Sequence, residues 1–162
     1  MSHALIRAIL VLILLSLSIA PSMGMTGGNG NAILGQWEVE DGSGRIEILR
    51  CGEKYCGRIA WLKEPNYPAD DRGGMAGKPL VDRENPREEL RGRPQLGLRI
   101  MEGYSFRGDN LWEGGTIYNT ENGRSYKSTL SLLSPDRLRL RAFIGISLIG
   151  GSTVWKRVAA QK

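Results

Sequence analysis

Histidine is almost absent from this sequence of 162 residues, since the only one is His3. His3 lies in a segment that we expect to be removed, so the mature protein has no imidazole for metal binding or acid–base catalysis. A serine triad is set aside for the same reason, because Ser125 and Ser147 have no histidine partner. Much of ordinary enzyme chemistry is therefore disfavoured, and no cofactor or metal site is expected.

The chain also lacks an apolar run of the roughly 20 residues that a membrane-spanning helix needs. Residues 8–20 are apolar, but this run of 13 residues ends at Pro21. It follows a short N-terminal stretch with one basic group, Arg7, which is the profile of an export signal.

The position of signal cleavage is the open point of this prediction. Small residues fit cleavage after Ala20 or after Gly24, and Pro21 makes the first site less favourable. We therefore expect residues 1–24 to be a signal peptide and residues 25–162 to be a single soluble domain. That domain is expected in the periplasm or as a secreted protein.

Cysteine is scarce, with only Cys51 and Cys56. They flank a turn between two strand-like runs, so we expect them to face each other across the end of a hairpin. The β-carbons are then close enough for a disulfide, which an oxidising compartment preserves. The spacing is not the redox C-x-x-C, and a zinc site needs two further ligands that no histidine supplies.

The remaining sequence alternates between apolar and polar positions with frequent turn residues, which is typical of antiparallel strands. Trp37 and Val39 point one way, whereas Gln36, Glu38 and Glu40 point the other. Three strand-like runs lie before residue 63, and five more follow at residues 95–106, 111–118, 124–133, 137–143 and 151–157. Eight such strands are expected to close into an up-and-down barrel rather than stack as a sandwich, because closure removes exposed edges.

A long segment from Lys63 to Pro94 separates the third and fourth strands. Asn85 is a candidate helix cap, Pro86 occupies the first helical position, and Gly92 is a stop signal. The pattern predicts one short helix of six or seven residues. We expect the segment from Lys63 to Arg93 to border or plug the mouth of the barrel.

Several short stretches together resemble one protein family. They are Gly35-Gln36-Trp37, the CGEKYCGRIAWL hairpin, Glu84-Asn85-Pro86, the segment from Gly92 to Gly97, WEGGTIY, residues 123–126, and FIGISLIG before Trp155. In this order, from Gly35 to Arg157, the chain resembles the bacterial exported proteins grouped as domain of unknown function 2147. The resemblance implies a lipocalin-like β-barrel. It also implies that Arg157 stacks on Trp37 to close the base of the barrel.

The sharpest functional hypothesis is a binding site for a small apolar or amphipathic molecule inside the barrel. Inward aromatic rings with a few polar tips are usual in such sites. The candidates are Trp61, Tyr104, Trp112, Tyr118 and Tyr126. An equally weighted alternative is that these rings simply fill the interior, in which case the barrel is a scaffold for protein contacts.

Charged residues suggest two further alternatives. Asp109, Glu113 and Glu121 lie on or beside adjacent strands, and paired carboxylates hydrolyse glycosides when suitably separated. Arg137, Arg139 and Arg141 share one face of a strand in a chain of net charge +5. Export and the mixed charge elsewhere argue against nucleic acid, so a contact with an anionic envelope component is the expectation for these arginines.

Overall fold

The structure is a computed structural model that describes residues 28–145 and 149–159. It contains a closed antiparallel barrel in which each strand pairs with its neighbours in sequence. The strands are β1 (Gly35–Glu38), β2 (Gly44–Cys51), β3 (Lys54–Leu62), β4 (Arg99–Gly108), β5 (Leu111–Asn119), β6 (Arg124–Ser134), β7 (Arg137–Phe143) and β8 (Gly150–Arg157). The prediction of an all-β, eight-stranded antiparallel barrel is confirmed. The predicted signal peptide, residues 1–24, lies outside the described residues.

The alternation of side chains places one face of each strand in the core. On β7, for example, Leu138 and Leu140 are buried, whereas Arg137 and Arg139 are exposed. This period of two is the pattern that the sequence shows. No helix in residues 28–145 and 149–159 has the length and apolar character to cross a bilayer.

One end of the barrel, the base, is filled by side chains. A 3-10 turn (Gly30–Ile33) covers this end, and Trp37 donates a hydrogen bond of 2.8 Å from Nε1 to the Ile33 carbonyl. The guanidinium of Arg157 lies 4.1 Å from the centre of the Trp37 ring, as the family resemblance implies. Its two terminal nitrogens donate to the carbonyls of Ala32 and Leu34. The cation–π contact and these hydrogen bonds thus join the last strand to the N-terminal turn.

The β2–β3 hairpin carries the disulfide between Cys51 and Cys56 at this end, with the two α-carbons 5.9 Å apart. The turn is Gly52-Glu53, and Gly52 has a φ of +66° that suits glycine. Cys51 stands opposite Lys54, and Cys56 stands opposite Leu49. The cysteines are therefore diagonal neighbours, not directly facing residues.

The long loop, residues 63–98, runs between β3 and β4 and contains less helix than expected. Only Glu88–Leu90 form a 3-10 turn. Asn85 does accept a hydrogen bond from the Arg87 backbone nitrogen, but Arg87 is extended and the turn begins after it. The 3-10 turn stays short because the chain folds back on itself between residues 82 and 93. The Asp82 backbone nitrogen donates to the Arg93 carbonyl, which holds these two residues side by side.

Candidate functional site

A cavity of about 690 Å³ occupies the end of the barrel opposite Trp37, and it is open to solvent. We call it the mouth cavity. Its wall is mainly apolar, with Ile100, Ile117, Leu140, Ala142 and Trp155 among the lining residues. The cavity exists because small residues, such as Ala142 and its strand partner Gly151, lie at this end of the barrel. Large aromatic rings, by contrast, fill the base.

Three carboxylates line the mouth cavity, those of Glu40, Asp41 and Glu121. Glu40 accepts a hydrogen bond of 2.9 Å from the Thr153 hydroxyl. Hydrogen bonds from Ser43 lower the pKa of Asp41, so this carboxylate is ionised at neutral pH. The described wall contains no lysine or arginine. The entrance is therefore acidic, although the whole chain is basic.

Two of the five predicted ligand-binding aromatic residues border the mouth cavity, Tyr118 and Tyr126. The hydroxyl of Tyr126 accepts a hydrogen bond of 3.0 Å from the exposed side chain of Asn122. The hydroxyl of Tyr118 is already used, because it donates to Asp82 in the long loop. Tyr126 is thus the better placed of the two to present a hydroxyl to a ligand.

Tyr104 and Trp112 lie in the filled base, not in the mouth cavity. Both are fully buried. The Tyr104 hydroxyl is hydrogen bonded to Ser128, and Trp112 donates from Nε1 to the Gly30 carbonyl. Burial raises the pKa of Tyr104 to about 12, with the Ser128 hydrogen bond partly opposing that shift. These two rings belong to the core and do not line the mouth cavity, contrary to the expectation of an inward binding surface at their positions.

Trp61 is on the outer surface, where 38% of it is exposed. The guanidinium of Arg45 lies over its ring at 4.7 Å from the centre. Strict alternation from Ile59 predicts an inward ring. The structure differs because Ile59 pairs with Ile46 while Trp61 pairs with Arg45, which leaves Ala60 as an extra residue in a β-bulge.

The carboxylates considered for hydrolysis do not converge. Asp109 lies in the turn between β4 and β5, and Glu113 faces Arg107 at 3.9 Å. Glu121 follows the other end of β5, at the mouth cavity. In the part of the chain that the structure describes, no group of His, Cys, Asp and Glu side chains is arranged to hold a metal ion.

The long loop neither borders nor plugs the mouth cavity, since no residue between 63 and 98 lines it. The loop instead packs against the outside of β5 through a buried carboxylate. Asp82 is fully buried and accepts hydrogen bonds from Tyr118 (2.7 Å), Asn85 (2.8 Å) and Arg93 (2.8 Å). Burial alone raises the pKa of Asp82, but the three hydrogen bonds outweigh it and hold the pKa below its usual value.

The sequence interpretation missed this Asp82 cluster and most of the mouth-cavity wall. The alternation of apolar and polar residues along β7 is sufficient to predict that Leu140 faces inward, and the same pattern on β8 predicts an inward Trp155. No local pattern marks Asp82, because its partners lie 3, 11 and 36 residues away in sequence.

Comparison with known proteins agrees with this architecture. The profile of a family described as "Uncharacterized protein conserved in bacteria (DUF2147)" matches residues 35–157. Among solved structures, the chain is similar to protein HP1028 of Helicobacter pylori, which is described as belonging to the lipocalin family. The two are 20% identical with a TM-score of 0.64, over 78% of this chain and 83% of that chain. The search of curated proteins gives no match.

Proposed function

Because the chain belongs to this DUF2147 family of bacterial proteins and has a lipocalin-like barrel, we propose that it is an exported protein that binds a small amphipathic molecule in the mouth cavity. No catalytic step is part of this function. The observation that carries the proposal is the cavity volume of about 690 Å³. Small-molecule sites span roughly 300–1,000 Å³, so the mouth cavity is large enough for a ligand.

The wall indicates how the ligand lies. The apolar part of the ligand packs against Ile117, Leu140 and Trp155, where its removal from water is favourable. Its polar end lies among the acidic residues at the entrance, Glu40 and Glu121. Because the described wall carries no basic side chain, a neutral or cationic polar end fits this site better than a carboxylate.

Binding of three probes of equal chain length tests both parts of the proposal: dodecylamine, dodecanol and dodecanoate. Trp155 lines the mouth cavity, so tryptophan fluorescence reports occupancy, and native mass spectrometry gives the stoichiometry. We expect one molecule per barrel and an affinity for the amine about tenfold above that for the carboxylate. Glu121→Gln is expected to reduce that preference.

A cavity-filling variant distinguishes the interior from the surface. Ala142→Phe adds a ring to the mouth cavity and is expected to weaken binding of every probe at least tenfold. Thr129→Phe is the matched control, because Thr129 lies between inward-facing Ser128 and Leu130 and so faces outward. Equal effects of both variants, or no probe binding to the unmodified protein, would favour the alternative of a barrel that serves as a scaffold.

The outer face of β7 is a separate part of the proposal. Arg137 and Arg139 are exposed there, so they are available for contact with an anionic envelope component. Binding to vesicles that contain anionic lipid, compared with neutral vesicles, measures this contact. Replacement of both arginines by glutamine is expected to abolish the difference.

A further inference from the structure

A second cavity, of about 260 Å³, lies between the long loop and strands β4 to β6. We call it the arginine pocket. Arg87 and Arg93 contribute from the loop, whereas Arg99, Glu102, Thr116 and Ser125 contribute from the barrel. Its volume is below the range of roughly 300–1,000 Å³ that drug-sized ligands occupy, so it suits a small group.

The charges of this wall are unequal. Three guanidinium groups line the pocket against one carboxylate, that of Glu102. Other arginines of this barrel have acidic partners, for example Arg58 with Glu47 at 2.7 Å. The side chains of Arg87 and Arg99 form no ion pair within residues 28–145 and 149–159. Two of the three arginines, Arg87 and Arg99, thus place positive charge beside the cavity without an ion-pair partner among the described residues.

Arg93 adds an unfilled hydrogen-bond donor. One of its terminal nitrogens donates a hydrogen bond of 2.8 Å to the Asp82 carboxylate. Its Nε is buried and has no hydrogen-bond partner among the described residues. A buried donor without an acceptor is unfavourable, so Arg93 keeps a hydrogen-bonding capacity that the described residues do not fill.

The pocket is held in shape by the contact between loop and barrel. Asp82, Asn85 and Tyr118 form hydrogen bonds with one another and so fix the position of Arg93. On the other side, Gly123 approaches the loop so closely that a β-carbon there would lie 1.9 Å from the Glu84 carbonyl oxygen. The arginines therefore extend from a packed junction and not from a free loop.

We propose that the arginine pocket binds a small oxyanion, the phosphate or carboxylate group of a metabolite. Guanidinium groups present paired N–H donors that match the oxygens of both anions. The three arginines of this pocket do not line the mouth cavity, although Ile100 and Tyr118 border both cavities. The opposite charge preference separates the two ligands. This inference does not depend on the function proposed above.

Calorimetric titration of the full mature protein tests the proposal, with inorganic phosphate and acetate as probes at constant ionic strength. We expect saturable binding of at least one of them. Arg99→Gln and Arg87→Gln should each weaken it about tenfold, the value of one charged hydrogen bond. Arg107→Gln, which removes an exposed arginine at the opposite end of β4 from Arg99, is the matched control and should leave the affinity unchanged.

The outcomes separate the sources of the anion. Binding of phosphate alone indicates a phosphorylated ligand, binding of acetate alone indicates a carboxylate, and binding of both indicates a general oxyanion pocket; each supports the proposal. Absence of saturation with both probes overturns it. An equal loss in Arg99→Gln and Arg107→Gln also overturns it, because that result reflects net charge and not a site.

Discussion

The hydroxyl of Tyr118 donates a hydrogen bond of 2.7 Å to Oδ1 of Asp82, and this bond connects strand β5 to the long loop. Its carboxylate acceptor is fully buried. Burial, together with Asp82, raises the pKa of Tyr118 to about 12, so the hydroxyl remains protonated at physiological pH. The contact therefore joins the outer side of the barrel to the segment that carries Arg93.

Removal of this hydroxyl tests its contribution. Tyr118→Phe is expected to lower the free energy of unfolding by about 1.5–3 kcal/mol, since a buried carboxylate loses a donor. Tyr126→Phe is the control and should change it by less than about 0.5 kcal/mol, because the Tyr126 hydrogen bond is exposed. Urea unfolding of both variants measures the difference, and similar values would contradict a special role for the Tyr118 bond.

The lowered pKa of Asp82 predicts the dependence of stability on pH. Its carboxylate stabilises the fold above the unfolded-state pKa of about 3.9, and this contribution is lost as pH falls through the lower folded-state pKa. Asp82→Asn should therefore be less stable than the unmodified protein by a constant amount between about pH 5 and 8. The gap should narrow in acid. A gap that is unchanged down to about pH 2 would show that Asp82 does not titrate in this way.

The sequence predicts the positions of the strands better than it predicts which face of a strand a residue beyond a β-bulge occupies. Alternation places Leu138 and Leu140 inside correctly because β7 pairs with β8 without a bulge. It fails for Trp61 because Ala60 is an extra residue in β3, and one extra residue exchanges the two faces. A bulge depends on the partner strand, so the sequence of one strand does not reveal it.

Strand β5 shows the same effect with a visible signal. Trp112 pairs with Leu130 and Gly115 pairs with Ser128, so one extra residue lies between them. Gly114 has a φ of +76°, which favours glycine, and the adjacent Gly114-Gly115 pair is the mark that the sequence offers. The bulge puts Ile117 on the inner face with Trp112. Tyr118, the next residue, therefore points toward the long loop, where its hydroxyl donates to Asp82.

Gly115 also predicts a packing effect. A β-carbon at this position would lie 2.5 Å from the ring of the buried Tyr104. Gly115→Ala is expected to lower the free energy of unfolding by about 1–3 kcal/mol through overpacking. Gly151→Ala is the matched control, because a β-carbon on Gly151 would have no atom within 4 Å beyond its chain neighbours. Equal thermal stability of the two variants would contradict close ring packing on Gly115.

The stacking of Arg157 on Trp37 predicts that lysine is a poor replacement at the base of the barrel. Arg157→Lys keeps the charge but loses the planar group that reaches three carbonyls. We expect a loss of about 2 kcal/mol in unfolding free energy. Arg139→Lys on the exposed face of β7 should change it by less than about 0.5 kcal/mol. If both variants unfold at the same urea concentration, the Arg157 contacts do not stabilise the base.

The disulfide of the β2–β3 hairpin gives a prediction that also tests export. Cys51 and Cys56 close a small loop, so replacing both by alanine should cost only about 2 kcal/mol. Maleimide without reductant should not label protein isolated from the cell envelope, whereas a version that lacks residues 1–24 and stays in the reducing cytoplasm should be labelled at both thiols. The second version is the control for thiol accessibility. Labelling of both thiols in the envelope protein would contradict a bond formed on export, because cysteines joined in a disulfide have no free thiol to react with maleimide.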